Sequence, residues 1–276
     1  MADPSRRRTA ISRIPIGNVT TAITRPLPQR LLGVWAHPDD ECYLSAGLMA
    51  RVIGAGGQVR VVCATRGEFG TSDPTDAGTE RFGRLRLGEL RSSLEVLGVH
   101  DLHVLGLADG DCSKADAAAM TAEIAGHIDD MGADTVVTFG PDGITGHGDH
   151  VAVSQWSTAA VPTSVDVLYA TMTHDFVDRY RALHDEIGLF GELPEGRPHS
   201  VHGDELALQV SLDHAELIRK RRALSEHRSQ TTSLAALMGE DTYLSWWRDE
   251  CFRRPTDVEM QASRAACGRA PIGVGP

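Results

Sequence analysis

The sequence has few cysteines, little positive charge and no long apolar run, and each shortage argues against a class of protein. Its five cysteines, Cys42, Cys63, Cys112, Cys251 and Cys267, are odd in number and form no CxxC pair, which speaks against a disulfide framework or a CxxC zinc or redox motif. They read as reduced thiols. Cys42 lies beside the main motif but reads as a small apolar packing residue. No stretch approaches the ~18–20 apolar residues that span a bilayer. Arg6 to Arg8 are followed by no apolar segment, so the N-terminus does not read as a signal peptide, and the cytoplasm is the expected compartment. With 27 Lys and Arg against 38 Asp and Glu, the formal net charge is −11. That sign argues against nucleic acid and anionic membrane as partners, because both require basic surface. No internal repeat is visible.

What is present is an ordinary globular composition, 41% hydrophobic and 24% charged over 276 residues. A chain of this size buries a large core without staples, so a bound metal would serve chemistry rather than folding. The length fits one α/β domain with a C-terminal α/β extension. Residues 1–29, rich in Arg, Thr and Pro, read as an irregular arm, residues 30–254 as the domain, and residues 255–276 as a loose tail.

Leu31 to Ala36 is apolar without alternation, the pattern of a strand buried on both faces. A helix is predicted from Glu41 to Ala55, stopped by glycines. Strand Val59 to Thr65, loop 66–79, helix Glu80 to Leu97 and strand Leu102 to Leu107 follow. Beyond them come helix Lys114 to Met131, strand Thr135 to Phe139, loop 140–149, helix 150–159 and strand Val165 to Met172. Alternating strands and helices imply right-handed crossovers on a mostly parallel, Rossmann-like sheet. Leu206 to Leu212 reads as a further strand and Asp213 to Arg228 as a helix capped by Asp213. In open sheets of this kind ligands sit beyond the carboxyl ends of the strands, which directs attention to loops 36–41, 66–79, 106–113 and 140–150.

Two of those loops carry histidines: Ala36-His37-Pro38-Asp39-Asp40-Glu41 after the first strand, and Gly146-His147-Gly148-Asp149-His150 after the fourth. A hydrolytic zinc ion takes three His or carboxylate ligands and leaves one position open. His37 and Asp40, three apart at a strand-to-helix turn, can face one point, and His150 can join them from the other loop. Helix capping is the plainer account of Asp39, Asp40 and Glu41. It explains neither His37 nor the second cluster. A nucleotide-binding turn would carry G-x-G-x-x-G where this chain has A-H-P-D-D-E. A 2-His-1-carboxylate Fe(II) oxygenase site through His37, Asp39 and a distant histidine would be expected on a barrel of short strands. A non-catalytic metal-binding module is a further alternative, against which Asp39, a carboxylate not needed as a ligand, is a weak argument. His100 and His103 read as surface residues, His127, His174, His184, His199, His202 and His214 as residues without partners, and Trp246 and Trp247 as a packing cluster.

The A-H-P-D-D-E turn with G-H-x-D-H about a hundred residues later closely resembles the LmbE-like (PIG-L) superfamily of metal-dependent N-acetylglucosaminide deacetylases. Thr65-Arg66-Gly67-Glu68, Arg86 with Glu89-Leu90, Asp109-Gly110 and His227-Arg228-Ser229-Gln230 support the resemblance, which covers about residues 30–230. It implies metal ligands at His37, Asp40 and His150, a general base at Asp39 and an oxyanion-stabilising residue at His147. It further implies that Asp149 orients the second histidine, and that Arg86, Asp109 and Glu68 contact substrate. The implied metal is zinc, with Fe(II) or another divalent ion as alternatives. The implied substrate is a small amino-sugar conjugate that loses its N-acyl group, and a homo-oligomer is compatible with the pattern. Thr145 stands where members of the mycothiol branch carry tyrosine, which argues against that branch and leaves the core chemistry untouched.

Overall fold

The computed structural model describes residues 26–194 and 196–269, so most of the expected N-terminal arm lies outside the described residues. Leu31, Leu32, Val34 and Trp35 are fully buried in the first strand, as a strand covered on both faces requires. The elements run β1 (Arg30–Trp35), α1 (Asp40–Gly54), β2 (Gln58–Thr65), α2 (Asp76–Leu97), β3 (Asp101–Leu107), α3 (Ala117–Met131), β4 (Thr135–Phe139), α4 (Gly148–Ala160) and β5 (Asp166–Thr173). Two short helices, α5 (His174–Arg179) and α6 (Arg181–Ile187), and a two-residue strand, β6 (Ser200–Val201), come next. The chain ends with β7 (Leu208–Ser211), α7 (His214–Glu226), α8 (Arg228–Met238), α9 (Glu240–Trp246), β8 (Asp249–Arg253) and α10 (Asp257–Ala266).

The sheet order is β3-β2-β1-β4-β5-β8-β7, with β6 paired to β5. β1 pairs in parallel with β2 on one side and with β4 on the other, at Leu31↔Thr135, Leu32↔Val136 and Gly33↔Val137. β4 and β5 are also parallel, whereas β8 runs antiparallel to both β5 and β7. The expected α/β sheet is therefore present, and the C-terminal extension joins it beyond β5, as β8 antiparallel to β5 and then the edge strand β7. The chain leaves β1 toward β2 and later returns to β4 on β1's other side, which makes the β1–β4 boundary the switch point where a crevice opens. Among the described residues, no helix is long and apolar enough to cross a membrane. Cys42, Cys63, Cys112 and Cys267 are buried and unbridged, as packing residues should be.

Of the boundaries that differ from the sequence reading, two have a clear local cause. α2 begins at Asp76 rather than Glu80, because Thr75 caps it by accepting the Gly78 N–H at 3.1 Å. The segment read as a loose tail contains α10, started by a capping box between Thr256 and Glu259. Glu259 also pairs with Arg253 of β8 at 2.7 Å, and Arg264 reaches the Ala159 carbonyl of α4 at 3.4 Å. Ala159 lies 105 positions from Arg264, so local composition could not reveal that contact.

A side-chain pair enters the hydrogen-bond ladder of α1. The Glu250 carboxylate accepts the Gly47 and Leu48 N–H groups at 2.8 and 2.9 Å, and the Lys220 ammonium donates to the Tyr43 carbonyl at 2.7 Å. In a regular helix the Gly47 N–H would serve that carbonyl. Lys220 and Glu250 are themselves paired at 2.8 Å with side chains 1% exposed. The pair therefore ties α1 to α7 and β8. Lys220→Met would leave the Glu250 charge buried without its partner, and the expected loss is about 3–5 kcal/mol of stability in denaturant titration. A midpoint unchanged from wild type would show that the pair carries no such weight.

Candidate active site

Both histidine motifs sit at the carboxyl ends of the two strands that flank the switch point. β1 ends at Trp35 and α1 starts at Asp40, so His37 to Asp39 turn the chain over the sheet edge. Asp40 holds this turn by accepting the His37 N–H at 2.8 Å. Asp39 caps α1 with φ of 117° and ψ of −28°, a backbone conformation unusual for a residue with a Cβ. The loop between β4 and α4 is folded just as tightly. Gly143 and Gly146 have φ of 64° and 89°, and a Cβ on either would stand 2.8 Å from His150 or Glu192.

These turns bring the predicted ligands together. His37 Nδ1 lies 3.1 Å from His150 Nε2 and 3.7 Å from Asp40 Oδ2, and His150 Nε2 lies 3.5 Å from Asp40 Oδ1. Two ligand atoms ~2.0–2.1 Å from one tetrahedral ion stand about 3.3 Å apart, so this donor set fits a zinc-sized cation. The outer nitrogens are fixed by other groups. His150 Nδ1 is 2.9 Å from the Gly143 carbonyl, which makes it the donor and leaves Nε2 with a free lone pair. His150 also stacks on Phe139, with ring centroids 4.1 Å apart at 10°.

His37 Nε2 faces Asp109 Oδ1 and Asp149 Oδ2, each at 3.1 Å. Asp149 in turn accepts the Gly110 and Cys112 N–H groups at 2.7 and 3.0 Å. The sequence reading assigned Asp149 to orient the second histidine, whereas its carboxylate bonds the histidine of the first motif. The reason is geometric: Asp149 points back from the first turn of α4 toward β1. Carboxylates behind a ligating imidazole fix its tautomer and strengthen it as a donor. Further donor atoms lie close by, since those of His37, His147 and His150 are all within 4.8 Å of one another, as are those of His37, Asp109 and Asp149.

The electrostatics follow from this crowding. Burial disfavours protonation of His37, but Asp109, Asp149 and Asp40 outweigh it and raise its pKa well above the usual imidazole value. Burial alone would raise Asp40, yet His150 and His37 hold it below the ordinary carboxylate range. Burial lowers the pKa of His150. Asp39 is raised to about 7 by burial, against the pull of Arg86 and with the help of Asp40. A pocket in which three carboxylates favour the charged form of a buried imidazole is one whose negative charge a divalent cation would neutralise in the proton's place.

The other predicted residues surround this centre. His147 accepts the Asp149 N–H on Nδ1 at 3.2 Å, which leaves its Nε2 as the protonated, donating nitrogen. Arg86 is buried in the middle of α2 rather than at a helix start. It donates to the Pro38 and Gly67 carbonyls at 2.6 and 3.0 Å and lies 3.4 Å from Asp39 Oδ2. Glu68 is buried, and its carboxylate accepts the Asp109 N–H at 3.0 Å. Asp109 also accepts the Phe69 N–H at 3.0 Å. Arg86, Glu68 and Asp109 thus shape the loops of the site through contacts within the protein.

Two residues treated lightly in the sequence prove to be buried and partnered. Glu41, read as a helix-start charge, is 1% exposed and faces His227 at 3.0 Å. The His227-Arg228-Ser229-Gln230 stretch was the available signal, but nothing in it showed which element it would reach. His184, read as lacking a partner, is buried and accepts the Trp246 indole N–H at 3.0 Å. Trp246 and Trp247 pack 3.9 Å apart, with Trp247 against Tyr43 at 4.3 Å. They also border a cleft, open to solvent, that begins one turn along α1 from Asp40.

Comparison with known proteins follows the same lines. A family model described as PIG-L, GlcNAc-PI de-N-acetylase, matches residues 32–161. The 1D-myo-inositol 2-acetamido-2-deoxy-alpha-D-glucopyranoside deacetylase of Rhodococcus jostii is 32% identical over 247 residues, covering 74% of this chain and 82% of its own length. The protein of the same name from Mycolicibacterium vanbaalenii is 33% identical over 240 residues, covering 78% and 81%. In overall sequence, therefore, Thr145 does not set the chain apart from these proteins. Among solved structures, the N,N'-diacetylchitobiose deacetylase of Pyrococcus horikoshii matches with a TM-score of 0.55 at 20% identity, covering 82% of this chain and 83% of that one. At that identity the likeness is one of fold.

The geometry generates an occupancy test. The purified protein is expected to hold about one divalent ion per chain, as open hydrolytic sites do. His37→Ala, Asp40→Ala and His150→Ala should each empty the site, and Asp39→Ala should leave it filled. Elemental analysis decides the matter, and full occupancy in all three ligand variants would refute the assignment.

Proposed function

Because this chain belongs to the PIG-L family, we propose that it is a zinc-dependent deacetylase that removes an N-acetyl group from an N-acetylglucosamine-type amino sugar joined to a small-molecule partner. One observation carries this reading. His37 Nδ1, His150 Nε2 and the Asp40 carboxylate converge at 3.1 to 3.7 Å, with the unshared carboxylate of Asp39 next to them in the chain. The names of the relatives support an amino-sugar amide as the bond broken.

Zinc held by His37, Asp40 and His150 would lower the pKa of water toward ~7 and polarise the acetyl carbonyl. The remaining work belongs to side chains of this protein. The Asp39 side chain is 15% exposed and lies 3.4 Å from Arg86, and as general base it would accept the proton of the attacking water. As the carbonyl oxygen gains negative charge, His147 Nε2–H donates to it. A neutral imidazole suffices for this role, because the Asp149 N–H already occupies Nδ1. The proton taken by Asp39 is then delivered to the departing amine, which completes hydrolysis without a further acid. Asp109 and Asp149 contribute by holding His37 through its far nitrogen.

The adjacent carboxylates give a sharp test. Capping alone would make Asp39 and Asp40 nearly interchangeable, each worth about 1 kcal/mol of stability. In the proposed mechanism Asp40→Ala empties the metal site. Asp39→Ala keeps metal and fold but loses ~10²–10⁴-fold in kcat. His147→Ala should cost ~10²–10³-fold. Amine release from N-acetyl amino sugars by the metal-loaded protein is the measurement. Near-wild-type turnover by Asp39→Ala would overturn the mechanism, and no amine release from any N-acyl amino sugar would overturn the function.

A further inference from the structure

Asp39 stands in a conformation that its own side chain does not favour, and two of the groups around it, Glu41 and His227, take no part in the chemistry described above. With φ at 117° it caps α1 without a side-chain hydrogen bond of its own. Its N–H donates to Glu41 Oε2 at 3.0 Å. Its carbonyl accepts the Cys42 and Tyr43 N–H groups, both at 3.0 Å. Glu41 is turned back along the chain to reach that amide, and its other oxygen, Oε1, faces His227 Nε2 at 3.0 Å. The two side chains are 1% and 0% exposed, so neither can touch a substrate.

His227 lies at the junction of α7 and α8, which is itself anchored. Ser229 donates to the Glu89 carboxylate through its N–H at 3.0 Å and its hydroxyl at 2.6 Å. Glu89 lies one turn along α2 from Arg86, which donates to the Pro38 carbonyl on the other side of Asp39 at 2.6 Å. The backbone around Asp39 is thus held from two directions, by Arg86 through Pro38 and by His227 through Glu41. A buried carboxylate bound to a backbone amide and an imidazole has a defined position only while both partners are present.

We infer that Glu41 and His227 form a positioning pair for Asp39, fixing its left-handed backbone and so the aim of its carboxylate. The inference rests on the reading of Asp39 as the general base. It gives the His227-Arg228-Ser229-Gln230 stretch a role: it carries the outer member of the pair and the serine that pins that member to α2. The pair also explains why a carboxylate follows Asp40 directly. Glu41 restrains the base, and Asp40 serves the metal site.

The test uses the metal-loaded full chain, N-acetylglucosamine as probe, and amine release, metal content and thermal melting as readouts. Glu41→Ala should lower kcat by about 10²-fold, the loss that follows a misplacement of about 1 Å. Its KM should stay within about twofold and its metal content at the wild-type level. Glu41→Gln keeps an oxygen for the Asp39 N–H and should recover most of the rate. In an Asp39→Ala background, Glu41→Ala should cost no further rate, because a residue acting only through Asp39 has nothing left to position. Wild-type kcat in Glu41→Ala, equal losses with and without Asp39, no recovery in Glu41→Gln, or metal lost in step with rate would each overturn the inference. If Glu41→Ala does not fold, His227→Asn decides, with an expected loss of about 10-fold in kcat at unchanged KM and metal. Wild-type kcat there would count against the pair. Failure of the general-base reading is distinguishable, because it would leave Asp39→Ala itself active.

Discussion

The parallel pairing of β1 with β4 is the constraint on which the rest of this structure depends. It places the carboxyl ends of two strands, about a hundred residues apart in the chain, side by side at the point where the sheet changes direction. His37, Asp39, Asp40, His147, Asp149 and His150 all follow directly on one of those ends. Three register pairs, Leu31↔Thr135 to Gly33↔Val137, thereby set how far His37 stands from His150. Because β1 is buried on both faces, a slip of that register would put each of its side chains into a space shaped for another, which costs packing.

Around that contact the protein concentrates charge that its core would otherwise reject. Asp40, Asp109, Asp149, His37 and His150 are all at least nine-tenths buried or close to it, and each is answered by a specific partner. Asp149 takes two backbone N–H groups, Asp109 takes one, and the outer nitrogen of His150 faces a carbonyl. The backbone groups left over at loop ends are what make such burial tolerable. The loop after β3 presents the Gly110 and Cys112 amides inward, and the loop after β4, with Gly143 and Gly146 at positive φ, presents the Gly143 carbonyl.

The C-terminal third of the chain does more than extend the sheet. Lys220 and Glu250 enter the ladder of α1 one turn beyond the motif, and His227 meets Glu41 inside it. α7, α8 and β8 thus hold the helix whose first turn carries Asp39 and Asp40. The antiparallel return of β8 beside β5 gives this region its own fixed place relative to the catalytic end of the sheet.

The sequence by itself determined the alternation of strands and helices, because apolar runs and glycine stops are local signals. It also determined the two histidine loops, because their residue types follow directly on recognisable strands. Tertiary structure alone decided which nitrogen of His37 is free, since that depends on Asp109 and Asp149 arriving from two other loops. It decided that Arg86 grips the Pro38 carbonyl, that Glu41 pairs with His227, and that residues 257–266 form a helix against α4. Each of these depends on a partner between about 45 and 190 positions away, and no periodicity or local propensity encodes such a distance. What a short window encodes is the backbone's preference. Which buried charge answers which is fixed only when the strands have paired.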